Sequence, residues 1–205
     1  MEKDNKPYLI CCGVLQQEME RLIAGGYLSV EPVYLDVGLH AEPEKLKEQL
    51  VKAIDRCSAD GPRPIIVVYG DLCYPGMKQL IGNYANVTKV DALNCIDCLL
   101  GGHGQLCSID PNWEYFYLSP GWLPSSLKAS PVFRSLFDNF SDQHKAMLGN
   151  MKGIIVFDTL DDPDGFRAEV EEFAGTIGLP VTRLETIGLE GLKSVVSEAM
   201  PEAPA

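Results

Sequence analysis

Apolar runs alternate with helix-like stretches from one end of this chain to the other. Tyr8-Leu9-Ile10-Cys11-Cys12 is a short apolar run, and residues 15–24 then show helical spacing that stops at Gly25-Gly26. A second run over 32–35 precedes a helix over 43–57, which opens on Pro43 and carries Leu46, Leu50, Ala53 and Ile54 on one face. Residues 65–69, Ile-Ile-Val-Val-Tyr, are unbroken apolar sequence of the kind found in a central strand covered on both faces. A helix over 77–83 and a strand over 87–91 follow. This alternation predicts an α/β fold with a mostly parallel sheet and helices on both faces, Rossmann-like or flavodoxin-like.

The middle is less regular. A short helix is expected from Cys95, stopped by the glycines of Gly101-Gly102-His103-Gly104, and Cys107 falls in an irregular segment. Residues 114–118 read as a strand and 131–150 as an amphipathic helix containing His144. Then come a strand over 153–157, a helix over 163–177 closed by Gly178, a strand over 181–185 and a last helix over 189–200. Without repeat, linker or shift of composition, residues 1–205 are expected to form a single domain with disordered tails at 1–6 and 201–205.

Composition narrows the partners. The net charge of −12 argues against nucleic-acid phosphate as the main ligand. No apolar run approaches the ~20 residues that span a bilayer. The opening residues have no signal-peptide core, so a cytoplasmic location is expected. In a reducing compartment the seven cysteines are expected to be free, metal-bound or redox-active, with Cys57 and Cys107 read as plain residues.

Four metal-capable side chains fall just past strand-like runs: Cys12, His40, Cys73 and Cys95. In an open parallel sheet the carboxyl ends of the strands share one edge, and ligands bind in the crevice there. Three thiols and an imidazole at that edge make a soft site for zinc or an iron–sulfur cluster. His40 also qualifies as a general acid or base, since imidazole titrates near neutral pH. Cys95-Ile96-Asp97-Cys98 is a Cys-x-x-Cys at a strand-to-helix junction, which keeps a thiol–disulfide or electron-transfer role open. There is no Gly-x-Gly-x-x-Gly after the first strand, no phosphate loop and no serine elbow.

With these segments in view, the chain resembles a family of uncharacterised bacterial and archaeal proteins of unknown function. The resemblance is carried by Cys12-Gly13-Val14-Leu15, Gly38-Leu39-His40 with Pro43, and Tyr69-Gly70 followed by Cys73. It continues through Cys95-Ile96 with Leu99-Leu100-Gly101 and Tyr117-Leu118-Ser119-Pro120-Gly121-Trp122, and covers residues 9–122 best. It implies that the family's recurring cysteines fall on Cys12, Cys73 and Cys95 and its histidine on His40. This chain has Leu93-Asn94 where the family has His-Asp, Asp71-Leu72 between Tyr69-Gly70 and Cys73, and Cys98 at a normally apolar position.

The family is often encoded beside corrinoid-dependent methyltransferases, which implies a metal-site protein of corrinoid or one-carbon metabolism. A metal-site protein is the leading expectation, with metal-dependent methyl- or sulfur-transfer activity left open, a corrinoid protein or methyltransferase as partner and an unidentified small-molecule substrate. The alternatives are a redox protein built on Cys95 and Cys98 and a non-catalytic methyltransferase partner.

Overall fold

A computed structural model describes residues 6–123 and 148–201. The expected tails and the expected helix over 131–150, with His144, lie outside these residues except for Lys6, 148–150 and Pro201.

The strands are all parallel and form two sheets. The first contains β1 (Tyr8–Cys12), β2 (Glu31–Leu35), β3 (Ile65–Val68) and β4 (Val87–Lys89) in the order β2-β1-β3-β4. Every residue of β1 and β3 is buried, as their unbroken apolar sequence requires of central strands. β2 lies at the edge and is largely open to solvent, which is where Pro32, lacking a backbone N–H, is tolerated. β5 (Tyr115–Leu118), β6 (Gly153–Asp158) and β7 (Val181–Thr186) form the second sheet around a fully buried β6. The α/β class is therefore as the pattern predicted, with the strands divided between two sheets.

Among the described residues seven helices accompany the strands: α1 (Gln16–Ala24), α2 (Pro43–Ala59), α3 (Met77–Ile81), α4 (Cys95–Leu99), α5 (Gln105–Ile109), α6 (Arg167–Ile177) and α7 (Glu190–Glu198). α2 buries Leu46, Leu50, Ala53 and Ile54, the face read from its spacing, and also Cys57. The larger apolar cluster runs from the first sheet into Ile155 and Phe157 of β6 and into Leu192, Val195 and Val196 of α7. That cluster therefore joins the two sheets, while a second one, around Leu118, Ile154, Val156, Val170 and Phe173, packs α6 on the other side of β6.

Two local expectations are corrected. Cys107 lies in α5 and is exposed. α6 begins at Arg167, later than Pro163 signalled, because the Gly165 N–H donates to the backbone oxygen and Oδ1 of Asp162, both at 3.1 Å, and closes a turn there. Residues 101–104 all take left-handed backbone, which ends α4 as expected. Within that stretch the His103 ring spans Asp91 at 2.9 Å and Glu198 at 2.7 Å, tying this loop to α7.

Candidate functional site

The strand order fixes where a crevice opens. The chain leaves β1 for β2 on one side, then returns past β1 to β3 on the other, so the connections diverge between β1 and β3. Cys12 ends β1, Cys73 closes the 3-10 turn Asp71–Cys73 beyond β3, and Cys95 opens α4 beyond β4. His40 lies in the 3-10 turn Val37–Ala41 after β2. All four predicted residues thus follow the carboxyl ends of the first sheet.

Backbone contacts weld these turns together. A Cβ on Gly70 would lie 2.1 Å from the Leu93 carbonyl oxygen and 2.2 Å from the Asn94 nitrogen. Beside it the Asp71 N–H donates to the Ala92 carbonyl at 3.0 Å and the Leu72 N–H to that of Leu93 at 2.8 Å. The turns carrying Cys73 and Cys95 are therefore in direct contact. A Cβ on Gly121 would lie 1.8 Å from the Val14 carbonyl oxygen, so the turn Pro120–Trp122 rests on the turn after Cys12.

Two carboxylates set the loops. Asp36 accepts from the Gly38 N–H at 2.7 Å and shapes the turn that presents His40. Asp97, fully buried, accepts from the backbone N–H groups of Leu93 at 2.9 Å, Gly104 at 3.1 Å and Leu106 at 2.9 Å. The Asn94 side chain accepts from the Asp97 N–H at 2.9 Å and caps the helix that begins with Cys95. Asn94 thus serves as the cap of the helix that presents Cys95.

The thiols act on one another. Burial pushes Cys12 up to about 12; the Cys73 thiol adds to the rise, and the Val14 backbone and the Tyr69 hydroxyl oppose it. Cys95 is raised well above the ordinary thiol value by burial and then by Cys12, Cys73 and Cys98, while the Trp122 side chain favours its thiolate. Burial raises Cys73 as well, against the Gly70 backbone and the Lys89 ammonium. The Lys89 ammonium is held 3.1 Å from Asp71. Burial raises Cys98 too, followed by Cys73 and Asp97, with Lys89 in opposition. Left alone at neutral pH, these four thiols stay protonated.

His40 stands apart from that group. Its ring meets the Trp122 ring edge-on, with centroids 4.8 Å apart and planes at 79°, and Trp122 in turn acts on Cys95. Burial holds the imidazole below its ordinary value, so the ring is neutral at pH 7 and able to accept a proton or bind a metal. Among the described residues no three His, Cys, Asp or Glu side chains are arranged, as they stand, to hold a metal ion.

Residues 34–196, about four-fifths of the chain, match the model of a family described as a protein of unknown function, DUF1638. This chain belongs to that family. No curated protein and no solved structure matches it. The DUF1638 match includes His40, Cys73, Cys95, Cys98 and Trp122, whereas Cys12 precedes it. No helix among the described residues is long and apolar enough to cross a membrane.

The strand-end rule located the thiols, but Tyr69 and Trp122 were not singled out as partners of sulfur. Their signal was adjacency: Tyr69 directly follows β3, and Trp122 ends the turn after β5. Glu18 of α1 was missed altogether. It is fully buried, accepts from the Thr159 hydroxyl at 2.7 Å, acts on Cys11, and has no hydrogen-bond partner at Oε2 among the described residues.

Burial raises the Glu18 pKa above its ordinary 4.5. The unfolded chain then loses this proton at lower pH than the folded one, so stability falls as pH rises from 4.5 towards the folded value. Glu18→Gln keeps an acceptor for Thr159 and removes the titration. Its melting temperature should exceed that of the parent at pH 7, with the difference shrinking as pH falls towards 4.5 and constant below it. Thermal unfolding across pH checks this; a pH-independent difference would refute it.

Proposed function

We propose that this DUF1638 protein is a soft-metal protein whose centre, zinc or an iron–sulfur cluster, is held by Cys12, Cys73 and Cys95 with His40 in its service. The observation that carries the reading is the placement of three cysteines just past the ends of β1, β3 and β4 beside the β1–β3 switch point, with the turns of Cys73 and Cys95 joined by backbone hydrogen bonds. Tyr69 directly follows β3, and Trp122 ends the turn that rests on the turn after Cys12, so both are placed to give the outer support that steadies metal-bound thiolates. Because the side chains are not set for an ion as they stand, binding includes their rearrangement together with loss of the thiol protons.

When bound, zinc or cluster iron keeps sulfur deprotonated near neutral pH and supplies an electrophilic position. The chain's own residues do the rest. Burial excludes water from Cys12 and Cys95, and Lys89 offsets negative charge beside Cys73. His40, neutral at pH 7, is available as the acid or base at the rim. In this reading the centre serves methyl or sulfur transfer in corrinoid or one-carbon metabolism, with a corrinoid protein or methyltransferase as partner, in keeping with the family resemblance.

A redox reading needs the thiol of Cys95 or Cys98 to be acidified, because thiolate is the attacking form. Burial pushes both the other way, which speaks against the redox reading.

Cys73→Ser puts a harder oxygen in place of thiolate and should lower metal content at least about ten-fold, with the fold retained. Elemental analysis of parent and variant, both purified without oxygen, measures it. The same samples are tested for exchange with an aromatic disulfide, which should be slow in the parent. A variant that keeps its metal, from a parent that exchanges rapidly, would sink the proposal.

A further inference from the structure

Away from the candidate metal centre, one histidine joins three separate parts of the chain. The His103 Nδ1 lies 2.9 Å from Asp91, which follows β4, and its Nε2 lies 2.7 Å from Glu198, which ends α7. An ionised carboxylate only accepts hydrogen bonds, so both ring nitrogens must carry protons in this arrangement. The ring is therefore an imidazolium. The other oxygen of Glu198 accepts from the Ser194 hydroxyl at 3.1 Å, and Asp91 also acts on Lys78 of α3. Behind the loop, the buried Asp97 accepts from the Gly104 N–H at 3.1 Å.

The backbone under the ring is tightly stacked. A Cβ on Gly102 would lie 2.3 Å from the Asp91 carbonyl oxygen and 2.6 Å from Cγ2 of Val195 in α7. His103 itself has a φ of 55°, left-handed backbone that residues with a side chain rarely adopt. Its N–H donates to the Asp91 carbonyl at 2.7 Å. α7 also rests on α4, since a Cβ on Gly191 would lie 2.3 Å from the Leu99 carbonyl oxygen. Every residue of α4 is buried, and Cys98 shares one apolar cluster with Leu192, Val195 and Val196 of α7.

A neutral imidazole has a single N–H. Loss of the ring proton therefore turns one nitrogen lone pair towards a carboxylate, and that half of the bridge opens. We propose that the His103 imidazolium is a pH-operated clasp that holds α7 on α4, and that its deprotonation loosens α7 and opens the buried side of α4. This stands whether or not the crevice holds a metal. The hydrogen bond to Glu198, then that to Asp91, raises the ring above its ordinary 6.5. The clasp is thus complete below 6.5 and is lost as pH rises through the folded value. Glu198 is in turn held below its ordinary 4.5 by the same ring.

Nitrogen NMR of the His103 ring and hydrogen exchange test this on the full chain. The parent ring should be doubly protonated at pH 6 and titrate above 6.5, and Glu198→Gln should bring the midpoint down. His103→Asn keeps a side chain that tolerates left-handed backbone but is too short to reach both carboxylates. At pH 6 the amides of α4 and α7 should exchange at least about five-fold faster in His103→Asn than in the parent. Above the parent's midpoint the two should exchange alike, because the parent clasp has opened as well. Comparison at one pH cancels the intrinsic pH dependence of exchange. A ring that titrates at or below 6.5 would overturn the proposal. So would a ratio that is the same on both sides of the midpoint, since a merely structural contact gives that result.

Discussion

Gly70→Ala should separate Cys73 from Cys95 and destabilise the fold by about 3 kcal/mol or more. The added methyl would sit 2.1 Å from the Leu93 carbonyl oxygen and 2.2 Å from the Asn94 nitrogen, both of them backbone atoms. No rotamer change can relieve such a contact, so the turns after β3 and β4 must part. Parting them also strains the hydrogen bonds from Asp71 to Ala92 and from Leu72 to Leu93. For a chain of this size the loss corresponds to a melting point lower by about 6–12 °C. Denaturant unfolding checks the value; a variant within about 1 kcal/mol of the parent would show that the two turns are not in register.

Asp97→Ala is the second large effect, expected to cost about 3–5 kcal/mol. Asp97 is fully buried and is the acceptor for the N–H groups of Leu93, Gly104 and Leu106. Removing it leaves buried donors without partners, each costing about 1–3 kcal/mol. The loop over 93–106 should loosen, and Cys95 should become accessible to alkylation in the folded protein. Asp97→Asn retains one oxygen acceptor and should lie between alanine and the parent. Equal stability of the asparagine and alanine variants would show that the carboxylate is not the organising acceptor.

These effects show where the sequence was informative. The first sheet was legible because β1 and β3 are unbroken apolar runs and α2 has clean helical spacing, signals that lie within one segment. The placement of Cys12, Cys73 and Cys95 past strand ends was legible through one general rule, that the carboxyl edge of a parallel sheet gathers the residues which follow its strands. The division into two sheets was not, because strand pairing is decided by contacts between distant segments. Nor was the role of Asp97, whose N–H donors come from positions up to nine residues away in a loop without periodicity. His40 shows the limit of the rule: it does follow β2, yet the nearest aromatic ring, Trp122, comes from beyond β5. Glu18 carried no local signal, since it occupies an ordinary polar position of α1 and becomes buried only when Thr159, beyond β6, closes over it.

The central claim is that the thiols of Cys12, Cys73 and Cys95 hold a soft metal. Metal and acid-labile sulfide analysis of the full chain purified without oxygen, with its absorption spectrum, tests that most directly. The account predicts either colourless protein with about one zinc per chain or brown protein carrying iron and sulfide. Metal-free protein that takes up neither zinc nor iron with sulfide on reconstitution would contradict it.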